Sequence, residues 1–224
     1  MNSKGVSLLL LRALPVFAEL GEHRLAALAQ VAKLKTVARN NVVLREGEST
    51  DNVYFVLSGG LRVLVSDDEG REVILSLLRA GDVFGELSVI DDHPRSATVI
   101  AVEETKLVVF SKQDFLRCLE ENFEIALYMM RGLAARLRMA DHRIESLALL
   151  DVYGRVAQAL LELSELRDGV KVVARRLTKQ DLAKMVGASR EMVSRVMKDL
   201  TAQGLIEERE GELFLLDKAP ASEK

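Results

Sequence analysis

The chain has a single cysteine. Cys118 stands alone among 224 residues, so an intramolecular disulfide, a cysteine-ligated iron–sulfur cluster and a Cys-rich zinc site are excluded. Long hydrophobic runs are missing too, since none reaches the roughly 18 residues of a membrane-spanning helix. The apolar N-terminal stretch "VSLLLLRALPVF" is interrupted by Arg12 and Pro15, and no small-residue cleavage site follows it. It reads as a short packed helix, not a signal peptide or membrane anchor. His93 has no second histidine at metal-ligand spacing. Neither a Ser/His/Asp grouping nor a Walker loop is present, so nothing supports an enzyme. The expectation is a cytoplasmic protein with no metal and no membrane partner.

Hydrophobic residues make up 49% and charged ones 29% of the chain, the balance of a globular protein with a real core. Its length allows one or two domains. The formal net charge of −3 hides an asymmetry. Between Lys171 and Leu200, eight basic residues (Lys171, Arg175, Arg176, Lys179, Lys184, Arg190, Arg195, Lys198) stand against Asp181, Glu191 and Asp199. That local excess of positive charge suits a polyanionic partner or, more simply, a solvated face.

Three textures follow one another. From Leu44 to Ser111, short apolar runs ("NVYFVLSGG", "LRVLVSDDEG", "EVILSLLRAGD", "ATVIAVEE", "KLVVFS") are punctuated by turn residues. They read as strands of a sandwich, jelly roll or barrel. Val53 to Leu57 is apolar on both faces, which predicts a strand enclosed on both sides. From Ser111 to Ala148 the pattern turns helical, and Ile125, Met129, Leu133, Leu137, Ala140, Ile144 and Leu147 recur at spacings of four and three. That stripe packs on its own β unit or forms a parallel coiled-coil dimer. Asp151 then caps the first helix of a second, smaller domain.

In that domain, "LTKQDLAKMVGASREMVSRVMKDLTAQGLIEERE" predicts two helices around a glycine, followed by a strand pair through "GELFLL". This is the order of a winged helix-turn-helix. Thr178 caps the helix that starts at Lys179, and Gly187 permits the turn. Ala183, Val186, Val193 and Val196 hold the two helices together. Arg190, Glu191, Ser194 and Arg195 share the exposed face of the second helix. Arginine can pair bidentately with guanine, and glutamate can accept from the cytosine amino group. The plainer alternative is a Glu191–Arg195 surface ion pair.

At this point the sequence resembles the cyclic AMP receptor and FNR family of bacterial transcription regulators, from "LPVFAEL" to the "GLI" after the second helix. The resemblance implies an α+β chain: a cyclic-nucleotide-binding β jelly roll over residues 1–112, a long dimerisation helix over 113–150 and a winged helix-turn-helix over 151–217. It implies a homodimer through the stripe named above. Its DNA partner is a palindromic duplex with TGTGA-like half-sites, read by Arg190, Glu191 and Arg195, with Thr178, Lys179, Gln180 and Ser189 at phosphates or base edges. RNA polymerase is a further partner, although the loop "ELRDGVK" is shorter than its counterpart in the cyclic AMP receptor.

The stretch "GELSVIDDHPRSA" resembles the phosphate-binding cassette of that family. The match puts Gly85, Glu86, Leu87, Arg95, Ser96 and Ala97 around the ligand, with Arg95 and Ser96 on the phosphate and Glu86 on the ribose hydroxyl. Arg136 matches the arginine of the long helix. The Thr-Ser pair that follows it in cyclic AMP-binding members is replaced by Ala140 and Asp141. Cyclic AMP is the favoured effector, with cyclic di-GMP or another guanine nucleotide as the alternative. Asp141 bears on the choice, because its two oxygens could accept both N–H groups of a guanine edge. Alternatively it pairs with Arg138 or Arg143 in solvent.

Overall fold

The computed structural model describes residues 6–173 and 177–216. It divides into two compact units, residues 1–136 and 137–224. The first opens with helix α1 (Leu8–Arg12), a 3-10 turn (Pro15–Phe17) and α2 (Glu22–Val31). Strands β1 (Lys33–Val37), β2 (Val42–Leu44), β3 (Asn52–Ser58), β4 (Gly60–Ser66), β5 (Glu72–Arg79) and β6 (Val83–Phe84) follow. Next come the short helix α3 (Leu87–Asp91), β7 (Thr98–Ala101), β8 (Thr105–Ser111), α4 (Lys112–Glu121) and α5 (Phe123–Leu149), whose residues from 137 onward belong to the second unit.

The strands form two antiparallel sheets, ordered β1-β8-β3-β6 and β2-β7-β4-β5. The double-sided burial expected of Val53 to Leu57 is present. Val53 and Phe55 face a core shared with Leu11, Phe17, Phe115 and Ile125, while Tyr54 and Val56 face the core with Leu61, Val99 and Leu107. Phe55 packs against Phe17 at 5.1 Å and edge-on against Phe110 at 5.7 Å between ring centroids. Each such buried ring contributes roughly 1.5–3 kcal/mol.

Two features were invisible in the pattern. Strand β1, "KLKTV", exposes four of its five side chains and is recognisable only by its pairing with β8. Charged edge strands of this sort carry no apolar alternation. The helical stretch after Ser111 is also two helices. Asn122 breaks it at φ −138°, ψ 88°. Its Nδ2 donates to Cys118 O at 2.9 Å, and its carbonyl accepts from the Ile125 and Ala126 amides.

The stripe on α5 needs a correction. Ile125 and Met129 are only 1% and 3% exposed, inside the core of the first unit. Their side chains are consumed within one chain and have none left for a partner. Leu137 and Ile144, at 64% and 66% exposed, do remain uncovered, with Ala140 and Leu147 also exposed and Leu133 half-buried. Met130, exposed where Met129 is not, begins the outward face. Met130, Leu137 and Ile144 recur every seven residues, and Leu133, Ala140 and Leu147 lie between them at the same interval.

The second unit holds α6 (Val152–Leu163), β9 (Ser164–Arg167), β10 (Val170–Val173), α7 (Lys179–Val186), α8 (Arg190–Ala202), β11 (Ile206–Arg209) and β12 (Glu212–Leu215). Asp151 caps α6 by accepting from Gly154 N at 2.8 Å. The expected loop "ELRDGVK" is instead part of the β9–β10 hairpin, turning at Asp168 and Gly169, both with positive φ. Such a two-residue turn closes a hairpin without any loop. The strand order is β11-β12-β10-β9, so the wing is the edge of a four-stranded sheet.

Candidate functional site

The cassette begins where β6 ends. Gly85 has φ +78°, and a Cβ there would sit 2.8 Å from Arg95 Nη1 and 3.2 Å from Asn52 O. Only glycine lets the chain pass this close to the arginine. Glu86 follows and is 1% exposed; Leu87 opens α3 and is exposed. After α3 the chain turns at Asp92, in the left-handed region, and returns through His93 and Pro94 to Arg95. Lys112, at the start of α4, pairs with Asp92. Ser96 is exposed and Ala97 buried immediately before β7.

Arg95 is 3% exposed, unusual for a cation. Its Nε donates to Thr50 Oγ1 at 2.7 Å, Nη2 to Asn52 O at 2.7 Å and Nη1 to Gly85 O, with Ser88 Oγ 3.4 Å from Nη1. Burial pulls its pKa down, opposed by Tyr54, Asp51 and Glu86. Glu86 Oε1 pairs with Arg136 Nη2 at 2.6 Å, which ties the cassette to α5. The other oxygen, Oε2, is buried with no hydrogen-bond partner among the described residues. A buried carboxylate oxygen left in this state is poised for a donor that arrives from outside. The structure therefore brings Gly85, Glu86, Arg95 and Arg136 together. A cleft of about 640 Å³ in the same unit, between Pro15–Gly21 and the start of α5, contains none of the cassette residues.

Ala140 and Asp141 lie further along α5, both exposed. Among the described residues Asp141 makes no ion pair with Arg138 or Arg143; Arg143 lies 4.0 Å from Glu162 instead.

In the second unit α7 starts with a capping box. Thr178 Oγ1 accepts from Asp181 N at 3.0 Å and donates to Asp181 Oδ2 at 2.6 Å. Its hydroxyl is thereby committed to the cap. Gly187 ends α7 at φ 63°, ψ 47°, and Ser189 caps α8 by accepting from Met192 N. Val193 and Val196 pack against Leu182, Ala183 and Val186, which fixes the angle of the two helices. This packing leaves Lys179, Gln180, Arg190, Glu191 and Arg195 exposed and Ser194 half-buried. The Glu191 carboxyl is held below its ordinary range by a hydrogen bond to its own backbone amide, then by Ser189, Arg190 and Arg195. No ion pair joins Glu191 to Arg195 among the described residues, and both side chains are exposed. Arg175 and Arg176 of the basic block lie outside the described residues.

The sequence analysis missed Thr50, Asn52 and Ser88. They reach Arg95 from 45, 43 and 7 positions away, and only the strand pairing brings the first two near.

Comparison with known proteins agrees with both halves. Residues 34–122 match the family model "Cyclic nucleotide-binding domain", and residues 154–219 match "Crp-like helix-turn-helix domain". The chain is 33% identical to the cAMP-activated global transcriptional regulator Vfr of Pseudomonas aeruginosa, over 83% of this chain and 89% of that one. It is 34% identical to the cAMP-activated global transcriptional regulator CRP of Pasteurella multocida, over 74% and 81% of the two chains. Among solved structures, the c-di-GMP responsive global regulator CLP of Xanthomonas campestris superposes with a TM-score of 0.73 at 25% identity, covering 88% of this chain and all of that one. Members of this group are transcription regulators rather than enzymes. A buried Glu–Arg cassette and a helix-turn-helix with an exposed second helix, each under its own family model, leave one assignment: the chain belongs to the CRP/FNR family of cyclic-nucleotide-binding transcription regulators.

Proposed function

We propose that this protein is a homodimeric regulator whose DNA affinity is set by a cyclic nucleotide bound at the cassette, with cyclic AMP the first effector to test. The observation that carries the reading is the buried, unpartnered Glu86 Oε2 beside the buried Arg95. A cyclic nucleotide presents a ribose hydroxyl that can donate to Glu86 and a phosphate that can accept from Arg95. Gly85, Leu87, Ser96 and Ala97 complete the phosphate and ribose end. The names of Vfr and CRP favour cyclic AMP.

One observation favours a second reading. Asp141 stands where cyclic AMP-binding members carry serine, and its carboxylate is exposed. With Ala140 beside it, it suits a guanine edge, and the similar CLP is c-di-GMP responsive. Either nucleotide would act through the Glu86–Arg136 pair on α5, at a coupling of about 1–3 kcal/mol.

Functional boundaries follow as 1–112 for ligand binding, 113–150 for dimerisation and 151–217 for DNA. The dimer uses the outward face of α5, from Met130 to Leu147, and meets half-sites about 34 Å apart on a TGTGA-like palindrome. No helix among the described residues is long and apolar enough to cross a membrane, and the proposed place of work is the cytoplasm, beside RNA polymerase. Calorimetric titration of the pure protein with cyclic AMP, cyclic GMP and cyclic di-GMP tests the effector. Saturable heat with cyclic AMP is expected. Heat with cyclic di-GMP alone moves the assignment to the second reading, and no heat with any of the three makes the protein a regulator independent of cyclic nucleotides.

A further inference from the structure

Arg95 is held by more of the chain than the cassette. Its backbone carbonyl accepts from Gly47 N at 2.8 Å, and its amide donates to Glu48 O at 2.9 Å. Its side chain then meets Thr50 and Asn52 on the same segment. The stretch from Gly47 to Asn52, between β2 and β3, thus grips the arginine at both ends. Of these contacts only the one to Thr50 is made by a side chain of the segment, so only that one is specified by a residue type.

A guanidinium is planar and carries five N–H groups in a fixed fork. Fixing Nε on the Thr50 hydroxyl, together with Asn52 O on Nη2, sets the plane of that fork. Gly85 takes a further N–H, and Ser88 stands at the long limit of a hydrogen bond. The second N–H of Nη2 and the weakly held N–H of Nη1 are what remain for an incoming anion. The Gly85 and Asn52 carbonyls hold the two ends of the fork, and the Nε bond to Thr50 is the third point, which stops the plane from pivoting about the line between them. We infer that Thr50 is a positioning residue for the phosphate end of the site: it does not form the site's charge but fixes the plane in which Arg95 offers its two remaining donors. The inference rests on the cyclic-nucleotide reading above.

Thr50→Val keeps the shape and removes the acceptor; Thr50→Ser keeps the acceptor. The measurement is affinity for the cyclic nucleotide that titrates, cyclic AMP first, and for its two phosphorothioate diastereomers, in which one or the other exocyclic oxygen is sulfur. A fixed guanidinium distinguishes the two diastereomers and a loose one does not. The expected result is that Thr50→Val weakens binding by about tenfold and narrows the diastereomer ratio, whereas Thr50→Ser keeps both within about twofold of wild type. Unchanged affinity in Thr50→Val overturns the inference. So does weakened affinity with the wild-type ratio intact, since that is the signature of general loosening. A wild type that binds no cyclic nucleotide removes the effector reading itself, and the positioning role with it.

Discussion

At the scale of single residues, burial sets two charged side chains apart from the other ions of the described residues. Arg95 and Glu86 are almost wholly enclosed; hydrogen bonds to Thr50, Gly85 and Asn52 offset the desolvation of the arginine, whereas the pair with Arg136 uses only one of the two Glu86 oxygens. Arg95→Ala is expected to abolish measurable cyclic-nucleotide binding while leaving basal DNA binding in a gel-shift assay. Asp141→Ser is the discriminating change: if the carboxylate reads guanine, it weakens a guanine nucleotide and improves cyclic AMP in the same titration. Unmoved preference would assign Asp141 no role in the base. Cys118 is the opposite case, a group that burial silences. Enclosure, then the nearby Glu121, pushes its thiol from 9.0 up to about 12. The folded chain therefore keeps a proton that the unfolded chain loses, and stability falls as pH rises from 9.0 towards about 12. Alkylation of native protein at pH 8 is expected to be far slower than in denaturant, and equal rates would contradict the enclosure.

Elements show what a one-dimensional pattern can and cannot carry. The strands β3, β4, β5, β7 and β8 were legible because short apolar runs end in turn residues, and the helices α6, α7 and α8 because apolar spacing is periodic and caps are chemical signals. The cassette was legible because glycine, glutamate and arginine have distinct duties there. Strand β1 was not, since its partner is some 70 residues away and its side chains point to water. The first two residues of the α5 stripe, Ile125 and Met129, lie in the core and the outward face starts at Met130; Met129 and Met130 are equally apolar, and only the three-dimensional core decides which one it takes. That distinction is testable. Leu137→Asp or Met130→Asp places a charge on the outward face and should shift sedimentation from dimer to monomer with little loss of thermal stability per chain. Met129→Ala removes core packing instead, costing about 2–5 kcal/mol of stability. A dimer that survives Leu137→Asp would overturn the proposed seam.

For the molecule as a whole, recognition of DNA divides into a sequence-blind part and a sequence-reading part. Lys179→Ala is expected to weaken cognate and random duplexes alike and to flatten the salt dependence of binding. Arg190→Ala or Arg195→Ala is expected to cost roughly 1–3 kcal/mol at the cognate site and to relax preference at one base pair. Equal losses on cognate and random DNA after Arg190→Ala would remove it from base reading. The strand order of the second unit has a consequence for synthesis. Strand β10 is complete at Val173, but its partner β12 pairs Phe214 with Val172 and ends at Leu215. During translation, α7 and α8 therefore emerge while β10 still has an open edge, a template for the wrong strand. A chain stopped by a nonsense codon at Glu212 would contain every residue proposed to contact DNA and still leave β10 and β11 without the strand between them. Such an allele should behave as a null through proteolysis or aggregation, although its reading helices are intact.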